Sequence, residues 1–347
     1  MKTNSFPLKK LLIKGLSVVI LLTIISSFFL FSTSLNSGRL IKLHQLNYLA
    51  LGLACLALIF SWLAEVFRIK IIASGLGERI SFLKIFGINL ASTFTGNVTP
   101  FNSGGVPTQI FLLCRNGLTP GRAGALVTIR IVVTTLLFTI VAPFLLLFYH
   151  TRFSFGILRN ITTIVIPLAA VLSIGLTIFI LNPKLTADLL MKLLNFLKLG
   201  RLGRWIEPFL DRIILEAEIF HSSIKEFRNW LNIILVFFFT IVYWLFFFGI
   251  APLLMYAFGL NPADKIIEII LLQFILMFIL AYLPIPGGTG VMELSLYSIL
   301  VFVPLQFRAV FILLWRFLSY YLSTFVGGFV LLKLINQPVQ HSVATPE

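Results

Sequence analysis

The sequence predicts an all-α polytopic membrane protein. Three observations carry this. Of 347 residues, 59% are hydrophobic and 11% charged; the mean hydropathy is +1.04; and the apolar runs are long and unbroken. A soluble domain is nearer about 45–50% apolar and about 25% charged. A membrane barrel would show segments of roughly ten residues with alternating polarity. Runs such as 11–31, 126–149 and 231–258 do not alternate, so the spans are helices, which satisfy their own backbone in lipid.

Full spans are expected at about 11–32, 46–67, 123–149, 158–181, 231–258 and 308–334. Lys2, Lys9, Lys10 and Lys14 precede the first, and no small-residue cleavage site follows it, so it reads as an uncleaved span. Two further apolar stretches are interrupted, 80–116 at Gly96–Pro107 and 266–303 at Pro284–Gly290. Their limbs are mostly shorter than the roughly 20 residues a crossing needs. Backbone freed by Pro and Gly is tolerated at membrane depth only when buried in protein or lining a wet cavity.

Charge sets the orientation. With a cytoplasmic N-terminus, and each interrupted stretch leaving and re-entering on one side, nineteen Lys and Arg fall inside and five outside. The expected architecture is six full transmembrane helices plus two re-entrant helical hairpins, eight helical membrane segments, with both termini cytoplasmic in a prokaryotic cell membrane. Two short full spans in place of each hairpin is the alternative. Each half then reads span, span, hairpin, span, from opposite sides. This is an inverted-topology repeat within one membrane domain, 1–347, with halves 1–150 and 151–335 meeting near 150–158.

Segment 183–228 is the long non-spanning stretch. Leu185, Leu189, Leu190, Leu193, Leu194 and Leu197 recur at helical spacing and predict a helix in the cytoplasmic interface. Asp211, Glu216 and Glu218 beside Arg212 read as a solvated helix face.

The net charge of +15 would suggest nucleic acid in a soluble chain. Here the cations lie between apolar runs, where they orient spans and meet anionic headgroups, so no nucleic-acid partner is expected. Cys55 and Cys114 make no disulfide framework, and His44, His150, His221 and His341 have no metal-ligand spacing. No cofactor or metal is expected. No Ser/His or Cys/His pair and no paired carboxylates stand in the spans, which argues against an intramembrane enzyme.

A charge inside the bilayer costs at least about 2.5–3.5 kcal/mol and marks function by default. Arg130, Glu293 and Arg316 stand there; Glu65 and Arg68, near the end of their span, read as snorkelling. One carboxylate against two guanidiniums leaves a positive charge that an anion would relieve, and a guanidinium fork grips phosphate. The competing reading is an internal Glu293–Arg316 pair that fixes neighbouring helices. Both loops precede helical limbs whose unpaired N–H groups favour anions. The first supplies Asn97, Thr99, Asn102, Ser103, Gly104 and Gly105; the second supplies Gly287, Gly288, Thr289 and Gly290. The bland alternative is that these glycines only let the helices turn.

Asn97-x-Thr99-Pro100, Gly104-Gly105-x-Pro107 and Arg115-x-Gly117-Leu118 resemble the first signature of the lysylphosphatidylglycerol synthase transmembrane-region, or flippase-like, family. Pro284-x-Pro286-Gly287-Gly288-x-Gly290-x-x-Glu293 resembles its second. Arg316 with Tyr320, Tyr321 and Gly327-Gly328 resembles its last span, and Arg130 matches an Arg that members carry after the first hairpin. The resemblance covers roughly 10–335. One departure is Ile129, where an acidic residue is expected. Members occur alone or fused to a soluble aminoacyl-transferase domain, as in the multiple peptide resistance factor. Only the membrane flippase part is matched, so the resemblance implies no synthase activity.

The leading expectation is a lipid translocase for an anionic phospholipid or lipid-linked phosphate, with Arg130 and Arg316 holding the phosphate, Glu293 orienting Arg316 or reading a cationic group of the headgroup, and Tyr320 beside them. Two alternatives stay open. One is a secondary transporter of a small anionic solute with Glu293 as proton relay. The other is a non-transporting membrane partner of a lipid-modifying transferase. A homodimer through the interfacial helix is a further open partner assignment.

Overall fold

A computed structural model describes residues 46–149, 210–280, 285–300 and 303–337, with scattered positions within 17–28, 171–175 and at 192. The described residues are helical, with no strand. Ten α-helices are resolved among them. α1 is Tyr48–Gly75, α2 Phe82–Asn97, α3 Gly105–Arg115, α4 Pro120–Tyr149 and α5 Leu210–Glu226. α6 is Trp230–Ala257, α7 Ile266–Leu280, α8 Val291–Ile299, α9 Leu305–Arg316 and α10 Leu322–Asn336. A π-helical turn, Phe317–Tyr321, joins α9 and α10 into one long helix.

Among the described residues, four helices are long and apolar enough to cross a membrane: Tyr48–Gly75, Pro120–Val141, Trp230–Ala257 and Phe307–Asn336. They match four expected spans, although α1 runs eight residues beyond the expected end at 67. The expected spans 11–32 and 158–181, the boundary near 150–158, Pro284 and the Leu185–Leu197 stretch lie largely or wholly outside the described residues. Broad apolar faces remain uncovered: Leu49, Leu53, Leu56 and Phe60 on α1, and Phe325, Phe329 and Leu332 on α10, are exposed. Such faces are stable against lipid and unstable in water.

Local chemistry starts these helices. Asn47 Oδ1 accepts the Leu49 and Ala50 N–H groups and so caps α1. Thr119 Oγ1 caps α4, with Pro120 at its first position, and Asn229 Oδ1 caps α6. Arg308 donates to the Tyr297 and Val303 carbonyls near the end of α8, where a cation suits the helix dipole.

The chain divides into two compact units. The first takes α1 up to Val66, then Leu83–Gln109, and the chain from Val242 through α10. Its core joins Ala54, Leu58, Leu254, Ile269, Met292, Phe311 and Trp315. Within it, α6 carries Pro252, which has no N–H to give the Phe248 carbonyl. Gln273 Nε2 from α7 donates to that carbonyl at 2.9 Å, and Gln273 Oε1 accepts from Trp315 Nε1 at 3.0 Å. The last helix approaches α2 through Gly327: a Cβ there would collide with the Leu90 carbonyl.

The second unit takes Phe67–Phe82 and Ile110–Ile241. In it α5 packs on α4. Glu216 on α5 accepts the Gly121 N–H at 2.6 Å. This corrects its expected place on a solvated face: the carboxylate caps the start of α4, whose first N–H groups have no helical partner.

Candidate functional site

The breaks in the two interrupted stretches take the same turn. Pro100–Asn102 and Pro286–Gly288 are each a single 3₁₀ turn led by proline. In each, the next residue takes left-handed backbone, Phe101 at φ 55°, ψ 19° and Gly287 at φ 58°, ψ 12°. In each, the N–H of the residue after the turn, Ser103 or Thr289, donates to the proline carbonyl. Glycine takes that backbone freely, whereas Phe101 and Asn102 are strained by it. All four limbs, of 16, 11, 15 and 9 residues, fall short of a full crossing. The two turns pack against each other within the first unit.

The long last helix holds both turns. Arg316 Nε donates to Glu293 Oε1 at 2.8 Å, with the two side chains 3% and 0% exposed. Arg316 Nη2 donates to the Gly287 carbonyl at 3.1 Å and reaches Thr289 Oγ1 at 3.5 Å. Its guanidinium lies 4.3 Å from the Tyr320 ring centre and 5.8 Å from that of Tyr321, close enough for cation–π attraction. Tyr321 Oη donates to Glu293 Oε1 at 3.2 Å. One turn on, Tyr320 Oη donates to the Asn97 carbonyl at 2.8 Å, and Asn97 Nδ2 donates to Thr324 Oγ1 at 2.8 Å. Arg316 thus grips the second hairpin, and Tyr320 and Thr324 the first. The π-turn starts directly after Arg316 and contains Tyr320, and such turns are frequent at functional sites.

The expected helix starts are filled from within. Glu293 reaches back to accept the Gly290 N–H at 2.6 Å, so the anion at the start of α8 is the protein's own carboxylate. Thr99 Oγ1 accepts the Gly104 N–H at 2.8 Å and donates to the Thr95 carbonyl. Gly104 and Gly105 lie against α2: a Cβ on Gly104 would meet Thr95 O at 2.7 Å, and one on Gly105 would meet Ser92 O at 3.2 Å. Gly287 likewise lies against Tyr320, whereas Gly290 faces open space. Gly288 and Thr289 are buried; Asn102 and Ser103 are exposed. Arg130 is half-buried on α4 in the second unit, its carbonyl accepting from Thr134 Oγ1.

Sequence reasoning missed several polar groups. Glu65 and Arg68 do not snorkel; both are buried, at 5% and 4% exposure. Arg68 Nη1 donates to Thr134 Oγ1 and Thr240 Oγ1, on α4 and α6. Ile69, Ile71, Ile72 and Ala73, broken only by Lys70, were the available signal that the helix continues beyond Arg68. Asn89, Ser92, Thr95 and Gln109 are buried in the first hairpin. On α2 the first three recur at spacings of three, a polar stripe legible on a helical wheel.

A family model for the lysylphosphatidylglycerol synthase TM region matches residues 13–327. The chain belongs to this family. It is also similar to a UPF0104 membrane protein of Archaeoglobus fulgidus, 26% identical over 318 residues covering 90% of this chain and 94% of the relative. No solved structure matches the chain. Membership fixes the protein as a membrane protein. The family match spans both hairpins, Arg130, Glu293, Arg316 and Tyr320.

Proposed function

We propose that this protein moves an anionic or phosphate-bearing lipid between leaflets of a prokaryotic cell membrane, in the manner of a flippase. The observation that carries the reading is the pair of matching broken-helix hairpins whose turns meet over a buried Arg316–Glu293 pair. Broken helices meeting at mid-membrane are the usual site of a transporter built from inverted repeats. Charges kept at such depth against a cost of at least about 2.5–3.5 kcal/mol suggest use beyond structure.

The chemistry is an exchange of partners. A lipid phosphate is an acceptor of the same kind as Glu293 and competes for the Arg316 fork. Displacing Glu293 releases the Gly290 N–H at the start of α8, a second anion donor. Rocking one repeat against the other gives alternating access. The protein performs no covalent chemistry in this reading.

The test is reconstitution in liposomes carrying labelled anionic lipid on one leaflet. Wild type should equilibrate the leaflets, and an Arg130→Ala, Arg316→Ala double variant that stays monodisperse should not. Equal movement by both would refute the assignment.

One observation favours a second reading. Arg316 is bonded to protein groups on every side described above, as a purely structural lock would be. The protein would then be a non-transporting partner of a lipid-modifying transferase, and folded wild type would leave the leaflets unmixed.

A further inference from the structure

Among the described residues of the first unit, two glutamine amides are buried, and they differ. Gln273 is 2% exposed, and both ends of its amide are bonded. Gln109 is fully buried, yet neither its Nε2 nor its Oε1 has a hydrogen-bond partner. An amide removed from water without partners costs about 1–3 kcal/mol on protein scales. Such a group is kept at a loss, or for a bound water or ligand.

Its place favours the ligand. Gln109 lies in the second turn of α3, the eleven-residue helix that leaves the first hairpin turn. It is four residues beyond Gly105 and shares that face, which packs on Ser92 of α2. Helical side chains lean toward the N-terminus, so the amide covers the turn beginning at Gly104. Ser92, Thr95 and Thr99 are buried on the α2 side of the same hairpin, but their hydroxyls are already spent on backbone carbonyls. Gln109 alone among these keeps both a donor and an acceptor.

Those two functions define the ligand. A phosphate oxygen accepts but does not donate and matches only Nε2. A hydroxyl beside a phosphodiester matches both, donating to Oε1 and accepting from Nε2. We infer that Gln109 reads a hydroxyl on a phosphorylated headgroup bound at the first hairpin. This deepens the translocase reading and rests on it for the lipid as source; the shared chemistry, a hydroxyl near a phosphate, is also present in soluble glycerol phosphates.

The experiment measures thermal stability of the full chain in detergent. Added phosphatidylglycerol is compared with phosphatidylmethanol, which has the same charge and no free hydroxyl. Wild type should bind the first more tightly by about three- to tenfold, one hydrogen bond's worth. Gln109→Leu should bind both alike, and its ligand-free stability should equal or exceed that of wild type. Gln273→Leu, the bonded control, should lose stability but keep the preference. A soluble arm with sn-glycerol 3-phosphate against methyl phosphate distinguishes the source: a preference there, with none between the lipids, retains the Gln109 site and assigns it a free solute. The inference is overturned if Gln109→Leu keeps the wild-type preference in every arm, or destabilises the ligand-free protein as much as Gln273→Leu. Since the readout is binding, a protein that binds but moves no lipid keeps this site and loses the translocase.

Discussion

Glu293 sits at the junction of three bonds: the Gly290 N–H, the Arg316 guanidinium and the Tyr321 hydroxyl. Neutralising it leaves a guanidinium at 3% exposure without its counter-charge. Glu293→Gln should therefore lower unfolding stability by about 3–5 kcal/mol, the usual loss when one side of a buried pair is removed. Chemical denaturation in detergent would check this, and a loss under about 1 kcal/mol would mean the pair is hydrated or absent. At this scale the sequence was most readable where a residue bears charge. Arg130, Glu293 and Arg316 stand out in apolar runs because lipid penalises them. Gln109 and Gln273 are neutral amides in similar runs, and nothing local distinguishes one that is bonded from one that is not. That difference is set by Pro252 and Trp315, far away in the chain.

Among the elements, helix starts and breaks were legible, and packing was not. Asn47, Thr119-Pro120 and Asn229 announce their helices through short-range capping chemistry. The proline-glycine breaks fall where expected because proline removes a donor and glycine accepts left-handed backbone. Phe101 in the same conformation as Gly287 was not legible, since phenylalanine rarely adopts left-handed backbone. The α6–α7 link gives one prediction. Gln273→Leu strands both the Phe248 carbonyl and the Trp315 indole N–H and should cost about 1–3 kcal/mol for each, read as a lowered denaturation midpoint. The α2–α10 contact gives another. Gly327→Ala drives a methyl into the Leu90 backbone carbonyl and should cost about 1–3 kcal/mol. Gly328→Ala meets the Phe94 ring at 3.1 Å, which can shift, so its cost should be smaller. Equal thermal shifts for the two variants would place the close approach elsewhere.

For the whole molecule, composition alone determined the class. A chain 59% hydrophobic must face lipid, and the uncovered faces of α1 and α10 do so by this reading. The two breaks were visible as stretches of like composition, and both take the same proline-led turn. The charge balance was less legible. Arg68 and Glu65 join the buried set once α1 is seen to run on to Gly75, which changes the simple count of one carboxylate against two guanidiniums. The central claim is that the hairpin pair passes a lipid headgroup. The most direct measurement is the half-time for labelled anionic lipid to equilibrate between leaflets of liposomes holding folded wild-type protein. The expected rate is well above that of protein-free liposomes, and the Arg130→Ala, Arg316→Ala variant should return it to that background. A wild-type rate equal to the protein-free background would contradict it.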